Sequence, residues 1–445
     1  MPNQLPGDPI TRLPDHPVLP RAIRLPHAVA MVVGTIVGAS IFVQPSEVSR
    51  SVPGFAGMLL VWSAAGALTW FGASVCAELS SAYPRSGGVY VFLREMFSPA
   101  VGFLWGWAMF WSMHSGILAA IAVVFARYLA AIVPLGDGGV RAAAAGAILV
   151  LSAINYVGVR RGTDLQTALT VLKVGALGLL LVLLFAGAPG GGALPEGPIH
   201  AAGFLRAVGA GLFAFGGWHM VTYAADETTD PERTIPRALM IGTAIVVAIY
   251  LAINAAYLMV LPIDRVLASS RVAADATAAV AGPRAAAAIA ALVVLSSFGA
   301  LSGIVLAGPR VYYAMAQDGL MFEWMARVHP RFRTPSAAIL AQGVWAAAMA
   351  WTGTYRALFT RVVFTEWIFF GGLAIGVLRM RRLPSYAPRF RVWGFPATPA
   401  LFAAACAAVV LAQFASDPAA SLVGLAFVLS GLPVFYLWRT LHARR

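Results

Sequence analysis

Only 11% of the 445 residues carry a formal charge, against roughly 25% in a soluble domain. That shortage excludes a chain made of ordinary soluble domains. Lysine is almost missing: of the 31 basic residues, Lys173 is the one lysine and all the others are arginine. Acidic residues number 18, so the balance is +13. A balance of that sign can point to nucleic acid. Here the charges sit in short stretches between apolar runs, so membrane topology explains them and no nucleic-acid partner is expected. Cysteine is confined to Cys76 and Cys406, both inside apolar runs. That excludes a disulfide framework and leaves no loop cysteine to tether a second subunit. The chain also lacks a His-Glu-x-x-His pair, paired aspartates within an apolar run and a Ser–Lys constellation. A membrane-embedded enzyme is therefore the weaker reading, with no metal and no cofactor expected. A channel would show a filter-like repeat, and none is present.

What the chain does have is 60% hydrophobic residues, gathered into runs long enough to cross a bilayer as helices. Reading for about 20 apolar residues at a time gives twelve spans: 28–52, 57–80, 99–133, 140–158, 165–187, 203–225, 236–261, 284–315, 335–354, 361–379, 396–416 and 420–438. The expectation is an all-α polytopic membrane protein with twelve transmembrane helices. Residues 1–27 are proline-rich and polar and read as a tail with no cleavable signal. Most arginines fall in the loops on the side of this tail, which predicts both termini in the cytoplasm and a multi-pass protein of the inner (plasma) membrane.

Two spans carry internal weak points. The first contains Gly34-Thr35-Ile36-Val37-Gly38-Ala39-Ser40-Ile41-Phe42. Glycine lets a helix come undone, and undone backbone within a bilayer must be buried in protein or line a wet cavity. The alternative for Gly34 and Gly38 is a small-residue packing face. The sixth span contains Phe213-Ala214-Phe215-Gly216-Gly217-Trp218-His219. With five spans per half, the first and sixth are equivalent. Two interrupted helices in equivalent positions are the best sequence pointer to an inverted-repeat transporter site. The expected divisions are tail 1–27, repeats 28–187 and 203–382, a final helix pair 394–440, and tail 441–445.

Ionisable groups within spans are rare and informative. Lys173 lies in span five. It either snorkels toward Asp164 or places its ammonium among carbonyls freed by the broken first helix, where a sodium ion could otherwise bind. Lysine suits that role because it can give up its proton on burial, whereas arginine cannot. His114 reads as a hydrogen-bonded helix histidine or a proton relay. Glu78 pairs with an inner-face arginine such as Arg85 or forms part of a proton or substrate path. Glu366 reads as structural, in the outer third of its span. The turn Asp226–Arg233 reads as a salt-bridge gate. Residues 89–97 read as a short interfacial helix, and 262–283 as short helices over the outer vestibule. Ser296–Gly303 offers a small, hydroxylated face that can flank a cavity.

Taken together, Gly34–Val43, Pro84-Arg85-Ser86-Gly87-Gly88, Lys173, Phe213–Trp218 and Asp318-Gly319 resemble the amino acid–polyamine–organocation superfamily, and within it the L-type amino acid transporters and their bacterial relatives. The likeness runs from about residue 24 to 382. It implies the LeuT-type fold: five-plus-five inverted repeats with discontinuous helices 1 and 6, plus two C-terminal helices. It implies an amino acid whose carboxylate takes backbone N–H groups around Ala39, Ser40 and Ile41, and whose ammonium takes carbonyls at Thr35 and Ile36 and at Phe213, Ala214 and Gly216. The side chain would face spans 3, 8 and 10, with His219, Ser297 and Ser302 as pocket candidates. Phe213 matches a gating aromatic, and Lys173 matches the lysine of sodium-independent members. Ser40 and His219 depart from the family, which commonly has Gly and often Asn there. The loop 134–141 has no cysteine, so no disulfide-linked heavy subunit is expected.

The function implied is sodium-independent transport of neutral amino acids by alternating access. It would be exchange if Lys173 stays charged, or coupled to protons if it titrates. A cationic amino acid or polyamine carrier is the alternative, and would need a carboxylate facing the pocket.

Overall fold

The computed structural model describes residues 19–38, 40–42, 44–188, 197–269, 271–354 and 361–442. Among these residues there are helices and turns and no strand, apart from one isolated backbone bridge between Ile23 and Thr228. Nine helices among them are long and apolar enough to cross a membrane. The other expected spans take different forms for physical reasons. The first is cut into α1 (Leu25–Ile36), a 3-10 turn (Ser40–Phe42) and α2 (Gln44–Ser51). The ninth and tenth contain helices of 17 residues (Ser336–Thr352) and 16 residues (Thr365–Met380), each short of a full crossing.

The remaining elements that position the site are α3 (Phe55–Ala82), α4 (Val89–Met96), α5 (Pro99–Ala108), α6 (His114–Ala130), α7 (Asp137–Tyr156), α8 (Val159–Gly187), α9 (Ala201–Ala214), α10 (Pro231–Val260), α11 (Ile263–Ala268), α12 (Val272–Ala281), α13 (Pro283–Ala307) and α14 (Pro309–Gln317). A π-helical turn, Met109–Met113, joins α5 to α6.

α1 packs against α8, α10 and α13 at once. Its residues Ala30–Ile36 are all buried, as a helix with no polar face requires. α8 shows the opposite pattern. Val171, Leu172 and Leu179 stand 67%, 57% and 72% exposed, whereas Gln166, Thr170 and Lys173 are buried. Those three recur at helical spacing, so α8 turns one polar stripe inward and its apolar surface to the lipid.

One end of the bundle is tied by charge. Tyr90 Oη donates to Asp318 at 2.8 Å and Arg85 Nη2 donates to the same carboxylate at 3.3 Å. Arg94 also contacts Asp318. Burial disfavours the charge of Arg94, yet Asp318, Tyr90 and Glu95 beside it outweigh that and raise its pKa above the ordinary guanidinium value. α4 is the short helix expected over 89–97, clamped and buried: Val89–Leu93 are at most 1% exposed. Glu78 is paired with an arginine, as one of its two readings has it, though the arginine is not Arg85. Its partner is Arg381, at 2.8 and 2.5 Å, and it also accepts from the Val392 N–H at 2.7 Å. Arg85 is engaged at Asp318 instead. The helix Thr365–Met380 packs along α3 and delivers Arg381 to Glu78. The short helices expected within 262–283 are present as α11 and α12.

Candidate functional site: two broken helices and two cavities

α1 stops at Ile36. Val37 is extended (φ −73°, ψ 90°), and the next described helical residue is Ser40. The stop leaves carbonyls without intrahelical partners, and distant side chains take them up. Lys173 Nζ donates to Gly34 O at 2.9 Å, to Val37 O at 2.8 Å and to Ser296 O at 3.2 Å. Ser296 Oγ donates to Val37 O at 3.2 Å. Lys173 is fully buried, so it does not reach for Asp164, which lies instead 3.7 Å from His27. Gly34 is also reassigned. It lies inside α1, and a Cβ there would run into Gln166 and Thr170, so it is a packing glycine. Gly38 lies in the opened segment.

α9 stops at Ala214. Gly216 N donates to Phe213 O at 3.1 Å, and Gly217 turns the chain at φ +103°, a conformation that favours glycine. A 3-10 stretch, Trp218–Glu227, follows. The two breaks are stitched together. Tyr250 Oη donates to Ile36 O at 3.1 Å and to Ala214 O at 3.3 Å. Thr35 Oγ1 donates to Gly217 O at 3.2 Å, and Ser40 Oγ to Ala214 O at 3.4 Å.

A cavity of about 260 Å³ opens beside them. Thr35, Ile36, Gly38, Ser40, Phe213, Ala214 and Gly216 line it on one side, and Ile117–Val124 of α6 on the other. None of the described residues lining it is charged. A smaller recess of about 50 Å³ lies behind the second break, with Ile117, Phe213 and Gly216 common to both. His114, Gly217, His219, Glu366, Trp367 and Phe370 are among its walls. Phe213 stands 47% exposed where the two meet.

Of the residues expected at the site, six line the larger cavity: Thr35, Ile36, Ser40, Phe213, Ala214 and Gly216. His219 lines the recess, and neither ring nitrogen has a hydrogen-bond partner among the described residues. Ile41, Ser297 and Ser302 are buried and line neither cavity. Ala39 lies outside the described residues. His114 is hydrogen-bonded, with Nε2 3.2 Å from Ile304 O. Glu366, read as structural, lies in the first turn of the helix Thr365–Met380 and lines the recess together with Gly217 and His219. Ser296 and Tyr250 hold the breaks without having been singled out. Ser296 sat in a run marked as cavity-flanking, and nothing in the local sequence around Tyr250 gave it away.

Beyond the second break an ion pair ties the 3-10 stretch to α14. Arg310 Nε and Nη2 donate to Glu227 at 2.7 and 3.0 Å, and both side chains are fully buried. Ile23 N donates to Glu227 O, and Thr229 N to Ile23 O, each at 2.9 Å. The acidic turn thus carries an ion pair as expected, with Arg310 of α14 as the partner.

Comparison with known proteins agrees with this geometry. The family model described as "Amino acid permease" matches residues 23–435. The serine/threonine exchanger SteT of Bacillus subtilis (strain 168) is 31% identical over 424 residues, covering 94% of this chain and 97% of its own. The large neutral amino acids transporter small subunit 2 of Oryctolagus cuniculus is 30% identical over 440 residues, covering 94% and 80%. The human cystine/glutamate transporter is 28% identical over 441 residues, covering 94% and 85%.

Proposed function

The chain belongs to the amino acid permease family, and from that premise we propose that it exchanges neutral amino acids across its membrane, without sodium, by alternating access. The observation that carries this reading is Lys173. Its ammonium sits on three backbone carbonyls at the first break, an arrangement in which a sodium ion would otherwise be coordinated. A side-chain ammonium there removes the need for a sodium gradient.

The substrate is held by backbone at its two charged ends. A half-helix N-terminus offers open N–H groups and positive potential, which suits a carboxylate, and a half-helix C-terminus offers carbonyls for an ammonium. The carboxylate binds at Ala39, Ser40 and Ile41. The ammonium binds at Thr35, Ile36, Phe213, Ala214 and Gly216. The carbonyls of Ile36 and Ala214 already accept from Tyr250, and each keeps a second lone pair. An uncharged cavity suits a zwitterion that supplies both charges itself. A volume of about 260 Å³ lies just below the roughly 300–1,000 Å³ of drug-sized sites, in keeping with one amino acid.

In this reading the twelve spans form repeats 28–187 and 203–382, with two further helices in 394–440. Both tails, 1–27 and 441–445, are cytoplasmic in the inner membrane. The Glu227–Arg310 pair closes the cytoplasmic side and Phe213 gates the outer one. The chain works as a carrier rather than an enzyme, with no cofactor and no disulfide-linked subunit, since Cys76 and Cys406 are both buried. A cationic amino acid carrier is the second reading, favoured by one observation: Glu366 lines the recess.

The test is competition for labelled alanine uptake in sodium-free proteoliposomes by leucine, arginine and putrescine. Leucine competes, whereas putrescine, which has no carboxylate, does not. Competition by putrescine but not leucine would overturn the reading.

A further inference from the structure

We propose that the recess behind the second break is a side-chain subsite for amino acids whose short side chain ends in a hydrogen-bond donor, with Glu366 as the acceptor that sets this preference. The inference rests on the proposed amino acid site and adds the substrate class.

Three observations converge on it. The first is pairing. Glu78 and Glu227 also lie within membrane helices, and each is bound to an arginine. Glu366 makes no ion pair and no side-chain hydrogen bond with any described residue, although it lines a cavity. A carboxyl group within a bilayer that is left unpaired and faces a cavity marks a ligand path. The second is continuity. The recess shares Ile117, Phe213 and Gly216 with the larger cavity. A side chain that extends past Phe213 from an amino acid held at the breaks therefore enters the recess. The third is lining. His219 is 1% exposed and its two ring nitrogens lack partners among the described residues, while Met113, Trp367 and Phe370 supply apolar walls. Low-dielectric walls strengthen a hydrogen bond that is made and penalise one that is missing.

Size narrows the class. One water needs about 10–15 Å³ of such volume, so the recess of about 50 Å³ takes a side chain of a few heavy atoms. A terminal O–H or N–H satisfies the carboxyl oxygen. A terminal methyl of the same shape strips it of water and returns nothing. Sites built to bond a substrate donor reject the analogue that lacks it far more strongly than apolar pockets sort by size.

The experiment uses three isosteres, norvaline, homoserine and 2,4-diaminobutyrate, whose side chains end in a methyl, a hydroxyl and an ammonium. Each competes against labelled alanine in counterflow with the full-length protein in proteoliposomes. Homoserine or 2,4-diaminobutyrate is expected to half-inhibit at a concentration at least about tenfold below norvaline. Preference for homoserine identifies a neutral donor, preference for 2,4-diaminobutyrate a cationic one, and either supports the subsite. In Glu366→Leu the ratio to norvaline collapses to about one. Norvaline matching or beating both isosteres in the wild type overturns the proposal without any variant. A wild-type ratio kept intact in Glu366→Leu overturns the assignment to that residue. Protein that exchanges no alanine at all instead contradicts the transport reading, so the two failures are distinguishable.

Discussion

The ammonium nitrogen of Lys173 lies 2.8 Å from the carbonyl oxygen of Val37, the first residue past the end of the helix Leu25–Ile36. One side chain thus ties the middle of α8 to the point where α1 comes undone. Lys173→Ala removes the cation, leaves the Gly34 carbonyl without its side-chain donor and leaves Val37 O with Ser296 Oγ alone, at about 1–3 kcal/mol for a buried group left unsatisfied. Exchange is expected to be lost, and the melting temperature to fall, in counterflow and thermal-unfolding assays. Wild-type rates in that variant would remove Lys173 from its role.

Gly299 leaves room for that lysine. A Cβ on Gly299 would stand 2.9 Å from Lys173 Cε and 3.0 Å from Nζ. Overpacking of this kind costs about 1–3 kcal/mol. Gly299→Ala is expected to slow exchange by about tenfold or more, because the displaced ammonium loses its grip on the break. An unchanged initial rate would show that the lysine's position is not critical.

Gly217 turns the second break at φ +103°, and its would-be Cβ would lie 3.3 Å from Thr35. Gly217→Ala combines backbone strain of about 1–3 kcal/mol with a push on the opposite break. The expected result is a lower melting temperature and weaker substrate affinity together, read from thermal unfolding with and without alanine. Stabilisation by alanine as large as in the wild type would mean the two breaks do not act as one site.

Glu227 and Arg310 are both fully buried and bound to each other. Glu227→Ala leaves a guanidinium with no counter-charge, which costs about 3–5 kcal/mol. The variant should melt well below the wild type, and the side on which that pair lies should become accessible to labelling of an introduced cysteine. A melting temperature within a degree of the wild type would contradict a closing role for the pair.

Much of this was legible in the sequence because it depends on local chemistry. Long apolar runs give helices, Gly216-Gly217 gives a break, and a lone lysine in an apolar helix needs partners. The misreadings come from contacts distant in sequence. Gly34 and Gly38 look alike in a row of small residues. Only the approach of Gln166 and Thr170 makes the first a packing residue. Glu78 had Arg85 close in sequence, yet the fold brings Arg381 from about 300 positions away. Glu366 reads as structural from its place near the start of an apolar run, and only the fold brings it into one recess with Gly217 and His219. Tyr250, which bridges Ile36 and Ala214, carried no local signal at all.

The most direct test is counterflow of labelled alanine into proteoliposomes, with and without unlabelled alanine inside, in sodium buffer and in choline buffer. The account predicts uptake accelerated by internal alanine to the same extent in both buffers. Uptake that requires sodium, or that runs equally fast into vesicles loaded with no amino acid, would contradict it.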